Sequence, residues 1–182
     1  MKNEKIAFRK ASEDEVNIIV KHIEKYFGEK AVGSLQNRCL WIKDGNIREV
    51  YALHTSIERV VESIPHGAYS AGILVGSLIK DNFQLEIEGS LLIRSVTKKV
   101  LHIKTDQFLY GKSIFAENIV DFDSAFQKGD LLIIAGRNNI HYGIGEVNLS
   151  SDELSKAPSN TVAISGNKNI PRDRGWYLRK GN

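Results

Sequence analysis

The residues best suited to hold a ligand form a glycine loop, Gly111-Lys112-Ser113, directly after the apolar run Phe108-Leu109-Tyr110. Glycine permits a positive φ or a close approach of backbone to ligand, and Lys112 adds a mobile cation. A loop of this kind can bind a phosphate. A nucleotide-binding P-loop is excluded, because Asp106 stands where that motif needs its first glycine and strand-forming residues follow the loop.

Residues for catalysis are sparse. The five histidines show no pair at metal-ligand spacing, Cys39 has no cysteine partner, and no Gly-x-Ser-x-Gly nucleophile motif occurs. Alternating carboxylates occur at Glu86 and Glu88 and again at Asp121 and Asp123, but a solvated strand face explains them more simply than acid–base chemistry does. We therefore expect no enzymatic activity, no metal site and no cofactor.

The positive charge is concentrated near the carboxyl end. From position 168 onward, Asp173 is opposed by five cations, Lys168, Arg172, Arg174, Arg179 and Lys180. The net charge of that segment is +4, whereas the net charge of the whole chain is +3, so the remaining residues sum to about −1. A local cationic patch is typical of proteins that bind a phosphate backbone, with a solvated basic tail as the alternative.

Length and composition limit the class of protein. A chain of 182 residues can form one domain or two small ones, and 42% hydrophobic with 26% charged residues is typical of a globular protein. No apolar run approaches the roughly 20 residues that cross a bilayer, and Met1–Lys5 leads into no secretory segment. The lone Cys39 favours a reducing compartment, so we expect a cytoplasmic protein, or a nucleolar one in a eukaryote.

The first half predicts helices packed on a small antiparallel sheet. Ser12 and Glu15 have capping-box spacing ahead of an apolar stripe that runs to Phe27. Asp44-Gly45 predicts a hairpin between two strands. A second helix is expected after a cap at Thr55 or Ser56, and alternation from Phe83 to Ile87 predicts a further strand.

The second half predicts a small β-barrel. Short apolar strands alternate with glycine turns, among them Lys128-Gly129-Asp130 and the curved strand around Tyr142-Gly143-Ile144-Gly145. Residues 113–120 are expected to form one strand. Gly175-Trp176-Tyr177-Leu178-Arg179 is expected to supply the closing strand.

The order of these features resembles the PUA domain, a pseudo-barrel of RNA-modifying enzymes and ribosome-assembly factors. Over nearly the whole chain, the first half together with Phe108-Leu109-Tyr110-Gly111 resembles the Nip-seven family of large-ribosomal-subunit biogenesis factors in its short archaeal-type form. The resemblance implies an α+β fold, with an N-terminal α/β domain of antiparallel sheet and flanking helices over residues 1–96. It implies a C-terminal PUA-like pseudo-barrel over residues 97–182.

The resemblance also implies a non-enzymatic role in pre-ribosomal RNA processing, with single-stranded or loop RNA as partner. Ribosome-assembly or RNA-degradation proteins are further possible partners. It points to an RNA face made by the glycine loop and the closing segment, which here comprises Gly111, Lys112, Ser113, Lys168, Arg172, Arg174, Arg179 and Lys180.

Two other functions stay open from the sequence. The first is an accessory RNA-binding subunit of a tRNA-modifying enzyme, because archaeosine transglycosylases carry a comparable pair of domains. The second is a protein-interaction module whose basic patch meets an acidic partner.

Overall fold

The structure, a computed structural model, describes residues 7–166 and 173–180, with the side chain of Lys180 left out. The first half contains a five-stranded antiparallel sheet in the order β1-β2-β3-β4-β5. Its strands are β1 (Phe8–Lys10), β2 (Arg38–Lys43), β3 (Arg48–His54), β4 (Ile73–Ile79) and β5 (Asn82–Leu85). The predicted Asp44-Gly45 hairpin joins β2 to β3, as expected.

Helices cover both faces of this sheet. They are α1 (Glu13–Phe27), α2 (Glu29–Gly33), α3 (Thr55–Glu62) and α4 (Ile87–Ile93). The capping box predicted for α1 is present, since Ser12 Oγ accepts from the Glu15 N–H and Glu15 accepts from the Ser12 N–H. The cap of α3 is His54, not Thr55 or Ser56, because its Nδ1 accepts from the Ser56 N–H.

The strand predicted through Ile87 ends at Leu85, and α4 begins at Ile87. The reason lies in the packing of α4 across β4. A Cβ on Gly89 would lie 2.1 Å from the Val75 carbonyl oxygen, so helix and strand are in direct backbone contact. Alternation over five residues could not reveal this contact.

The second half forms the PUA-like pseudo-barrel. A four-stranded sheet has the order β10-β9-β6-β8, and a two-stranded sheet pairs β11 with β7. The strands are β6 (Val100–Ile103), β7 (Ile114–Phe115), β8 (Ile119–Phe122), β9 (Leu131–Ala135), β10 (His141–Glu146) and β11 (Val162–Ile164). The short α5 (Ser151–Leu154) precedes β11. The single strand expected over residues 113–120 is divided into β7 and β8 by the 3-10 turn Ala116–Asn118.

The closing segment is a helix, α6 (Trp176–Lys180), so the prediction of a closing strand was wrong. Within the described part of this segment, Asp173 forms an isolated β-bridge to the barrel, opposite Gly143 of β10. Backbone bonds from Trp176 N–H to the Asp173 carbonyl and from Arg179 N–H to the Gly175 carbonyl then turn the chain into a helix.

One buried hydrophobic cluster spans the two halves. Ile19, Ile23 and Phe27 of α1 belong to the same buried cluster as Ile133 and Ile144 of the barrel. Polar contacts add to it: the Thr97 hydroxyl donates to the Phe27 carbonyl at 3.2 Å. The relative position of the halves is therefore held by side-chain packing rather than by a linker.

Candidate nucleic-acid interface

The glycine loop follows a 3-10 turn over Gln107–Tyr110 and takes the left-handed conformation expected of it. Gly111 has φ 67° and ψ 21°, and its N–H donates to the Phe108 carbonyl at 2.9 Å. Gly111 is itself buried, whereas Lys112 is exposed. The loop therefore turns the chain so that the lysine, and not the glycine backbone, faces solvent.

Ser113 holds the loop in place. Its Oγ accepts from the Gly166 N–H at 3.0 Å. A Cβ on Gly166 would lie 2.5 Å from the Gly111 carbonyl oxygen and 2.6 Å from the Ser113 nitrogen, so the two backbones are in contact. Ser113 thus anchors the segment after β11 beneath the loop.

Helix α6 packs directly against the 3-10 turn. A Cβ on Gly175 would lie 1.7 Å from the Leu109 carbonyl oxygen, a separation that no side-chain-bearing residue tolerates. The glycine loop and the closing segment, which are more than sixty positions apart, are therefore neighbours on one face, as the sequence interpretation requires.

Arg179 is bound within the protein. Its guanidinium makes a two-point contact with Asp173, at 3.0 Å and 2.9 Å, and also donates to the Leu109 carbonyl. Asp173 is only 1% exposed, so the arginine balances a buried carboxylate, and this hydrogen bonding raises the pKa of Arg179. The Arg179 guanidinium therefore holds α6 against the barrel through Asp173 and the Leu109 carbonyl, and its contact with RNA stays a prediction.

Arg174 also has partners but remains half-exposed. Its Nε donates to His141 Nδ1 at 3.1 Å, and its Nη2 lies 3.6 Å from Glu88 in the first half of the chain. A contact of 3.6 Å at a part-exposed surface is weak, so part of the Arg174 charge faces outward.

Three of the predicted RNA-binding side chains lie outside the part of the chain that the structure describes. Lys168 and Arg172 are not among the described residues, and Lys180 ends α6 without a described side chain. Within the described part of the predicted set, the cations facing solvent on the loop-and-helix face are Lys112 and, in part, Arg174.

The sequence analysis did not identify the serine–histidine pair formed by Ser90 and His141. Ser90 of α4 lies with its Oγ 2.8 Å from His141 Nε2, across the boundary between the halves. Fifty-one positions separate the two residues, and no local pattern signals their contact. The geometry resembles a nucleophile and its base, so the direction of the hydrogen bonds decides its chemistry.

The direction excludes nucleophile activation. Arg174 donates to Nδ1, which leaves the proton of the neutral ring on Nε2, so His141 donates to Ser90. The Ser90 hydroxyl in turn donates to the Ile87 carbonyl at 2.7 Å. A histidine that already donates to the serine cannot accept its proton, and Ser90 is fully buried. The pair is a structural link between the halves.

Two cavities flank the closing segment. One, of about 200 Å³, is lined at the barrel mouth by Gly145, Glu146 and Asp173 among others. The other, of about 220 Å³, lies between the 3-10 turn and α6 and is lined by Leu109, Tyr110, Arg174, Gly175, Leu178 and Arg179. The first presents the Glu146 carboxylate, which would repel a phosphate, whereas the second is bordered by arginines.

Comparison with known proteins defines the family. Residues 8–87 match the model of the NIP7/UPF0113 pre-PUA domain, and residues 98–182 match that of the UPF0113 PUA domain. A UPF0113 protein of Archaeoglobus fulgidus is 32% identical over 178 residues, which cover 96% of this chain and 95% of that protein. The chain belongs to the NIP7/UPF0113 family. A second member, from Aeropyrum pernix, is 31% identical over 75% of this chain and 72% of its own length.

Solved structures share the fold of this family member. A hypothetical protein of Pyrococcus horikoshii aligns with a TM-score of 0.65 at 14% identity, covering 94% of this chain and 99% of that one. A conserved PUA domain protein of Thermoplasma acidophilum gives 0.63 at 14% identity, with the same coverage. Both likenesses support the α+β architecture with a C-terminal PUA domain.

The same face of this NIP7/UPF0113 protein carries apolar residues that the sequence analysis did not assign to binding. Tyr110 is 62% exposed and Leu178 is 81% exposed, beside the arginine-bordered cavity. Leu178 belongs to α6 and its side chain faces solvent. Among the described residues, no helix has both the length and the apolar character needed to span a bilayer.

Proposed function

We propose that this protein binds RNA through the face formed by the glycine loop and α6, without catalysing a reaction, and acts in the biogenesis of the large ribosomal subunit. The observation that carries the proposal is the presence of a PUA domain whose glycine loop exposes Lys112 beside α6. Membership of the NIP7/UPF0113 family supports the ribosomal role.

The charge distribution along the chain supports a phosphate-binding role for the carboxyl-terminal segment. The segment that carries α6 contributes +4, while the remainder of the chain is slightly negative. Cations concentrated in one segment attract a polyanion and position its backbone without reading its sequence. Single-stranded or loop RNA is the favoured form, because A-form duplex hides its base edges in a deep, narrow major groove.

A salt titration tests the phosphate contacts. We expect Lys112→Ala to weaken the binding of single-stranded RNA of many sequences, and to flatten the dependence of log affinity on log salt by about 0.7. Lys21→Ala, which removes the same charge from the exposed side of α1, is the matched control and should change neither quantity. Equal affinities and slopes for the two variants would remove Lys112 from the interface.

Sequencing of RNA cross-linked to the protein in cells tests the biological role. Enrichment of precursor ribosomal RNA of the large subunit is the expected outcome. Enrichment of tRNA would instead favour the accessory subunit of a tRNA-modifying enzyme. Absence of any enriched RNA would leave the protein-interaction module as the better explanation.

A further inference from the structure

The cavity between the 3-10 turn and α6 is an apolar slot at a cationic surface. Its walls include Leu109, Tyr110 and Leu178, and its edge carries Arg174. Lys112 follows Tyr110 by two positions and is exposed. Exposed apolar side chains that adjoin one another in a concave site, with a polar rim, are typical of a ligand-binding groove.

The slot is preformed. Contact between Gly175 and the Leu109 carbonyl brings α6 against the turn, and the ion pair of Arg179 with the buried Asp173 holds the helix there. Because these contacts lie within the protein, the walls are in place before any ligand arrives. A ligand that enters a preformed site loses less free energy to ordering the protein.

We propose that this slot takes one unpaired nucleobase of the bound RNA, with the ring stacked on Tyr110 and against Leu178, while Lys112 and Arg174 contact the flanking phosphates. This inference rests on the proposed function and specifies how that interface binds a nucleotide of the RNA. A volume of about 220 Å³ is below the ~300–1,000 Å³ of sites for drug-sized ligands, which suits a single planar ring.

Charge selects the occupant. An apolar peptide side chain would fit the walls, but its uncharged backbone would gain little from Arg174 at the edge of the cavity and from the exposed Lys112 two positions after Tyr110. A nucleotide has a flat π-face between two phosphates, so it matches both the walls and the rim. A base within a duplex is stacked on both sides and cannot enter, so the slot also selects unpaired RNA.

Tyr110→Ala tests the stacking contact. The probes are a fluorescently labelled oligouridine and an oligoribonucleotide of the same length whose residues are abasic. We expect Tyr110→Ala to weaken the binding of oligouridine by about 5- to 150-fold and to leave the abasic probe unaffected. Tyr110→Phe should bind oligouridine as the unsubstituted protein does, since stacking does not need the hydroxyl.

The matched control is Tyr69→Ala, which removes a tyrosine of similar exposure, 66%, from the first half of the chain. Leu178→Ala is the second variant, because a side chain 81% exposed can be shortened with little risk to the fold. We expect Leu178→Ala to act in the same direction as Tyr110→Ala, and Tyr69→Ala to have no effect.

The outcomes separate the inference from the proposed function. If Tyr110→Ala and Leu178→Ala bind oligouridine as tightly as the unsubstituted protein, or weaken both probes equally, the base slot is refuted while RNA binding stands. If the unsubstituted protein binds neither probe, both the slot and the proposed function fail. Thermal unfolding of each variant checks that a loss of binding does not come from a loss of fold.

Discussion

Protonation of His141 should destabilise the protein in mild acid. The ring is 7% exposed at the boundary between the halves, where it donates to Ser90 and accepts from Arg174. Burial, together with the charges of Arg174 and Arg94, lowers the pKa of His141 from 6.5 to about 4. Arg174, which lies against the His141 ring, is itself 3.6 Å from the carboxylate of Glu88.

The sign and size of the effect follow from this pKa. Below pH 6.5 the unfolded chain takes up a proton at His141 that the folded protein does not accept until about pH 4. The unfolded state therefore binds more protons in this window, and the free energy of unfolding falls as the pH falls. At about 1.4 kcal/mol per pKa unit, the loss approaches about 3 kcal/mol by pH 4.

Urea unfolding of the protein and of His141→Gln at half-unit steps from pH 7 to pH 4 measures this contribution. We expect His141→Gln to be less stable than the unsubstituted protein at pH 7, but to lose about 3 kcal/mol less on going to pH 4. The control is His102→Gln, which replaces a half-buried histidine of β6 whose side chain contacts Asp123. Parallel pH profiles for the unsubstituted protein and His141→Gln would refute the reasoning.

Two further predictions concern stability. Gly175→Ala should lower the unfolding temperature and loosen α6, because the added Cβ would overlap the Leu109 carbonyl. The control is Gly33→Ala, which lies in a helix with open space around it and should be neutral or slightly stabilising. A thermal melt in which the two variants behave alike would contradict this prediction. Ser12→Ala should cost about 1 kcal/mol through loss of the capping box with Glu15, measured by urea unfolding, and Ser12→Asp should restore most of it.

Features set by a few neighbouring residues were predictable from the sequence. The capping box at Ser12, the hairpin at Asp44-Gly45 and the left-handed turn at Gly111 each depend on local backbone preferences, and each is present. The resemblance in the order of these features led to the family and to the α+β fold with a PUA domain. Local chemistry sufficed because capping and turn formation involve residues only a few positions apart.

The closing segment was decided by tertiary contacts. Its apolar and aromatic residues favour a strand, but Gly175 lies against the Leu109 carbonyl and Arg179 reaches back to Asp173, so the chain forms α6. The same contacts pair the Arg179 guanidinium with Asp173 inside the protein, and Leu178 is exposed on the helix that they form. The link from Ser90 to His141 likewise joins residues fifty-one positions apart. Such interactions depend on which residues, distant in sequence, are packed together in the folded protein, and the spacing of residues along the chain does not reveal that packing.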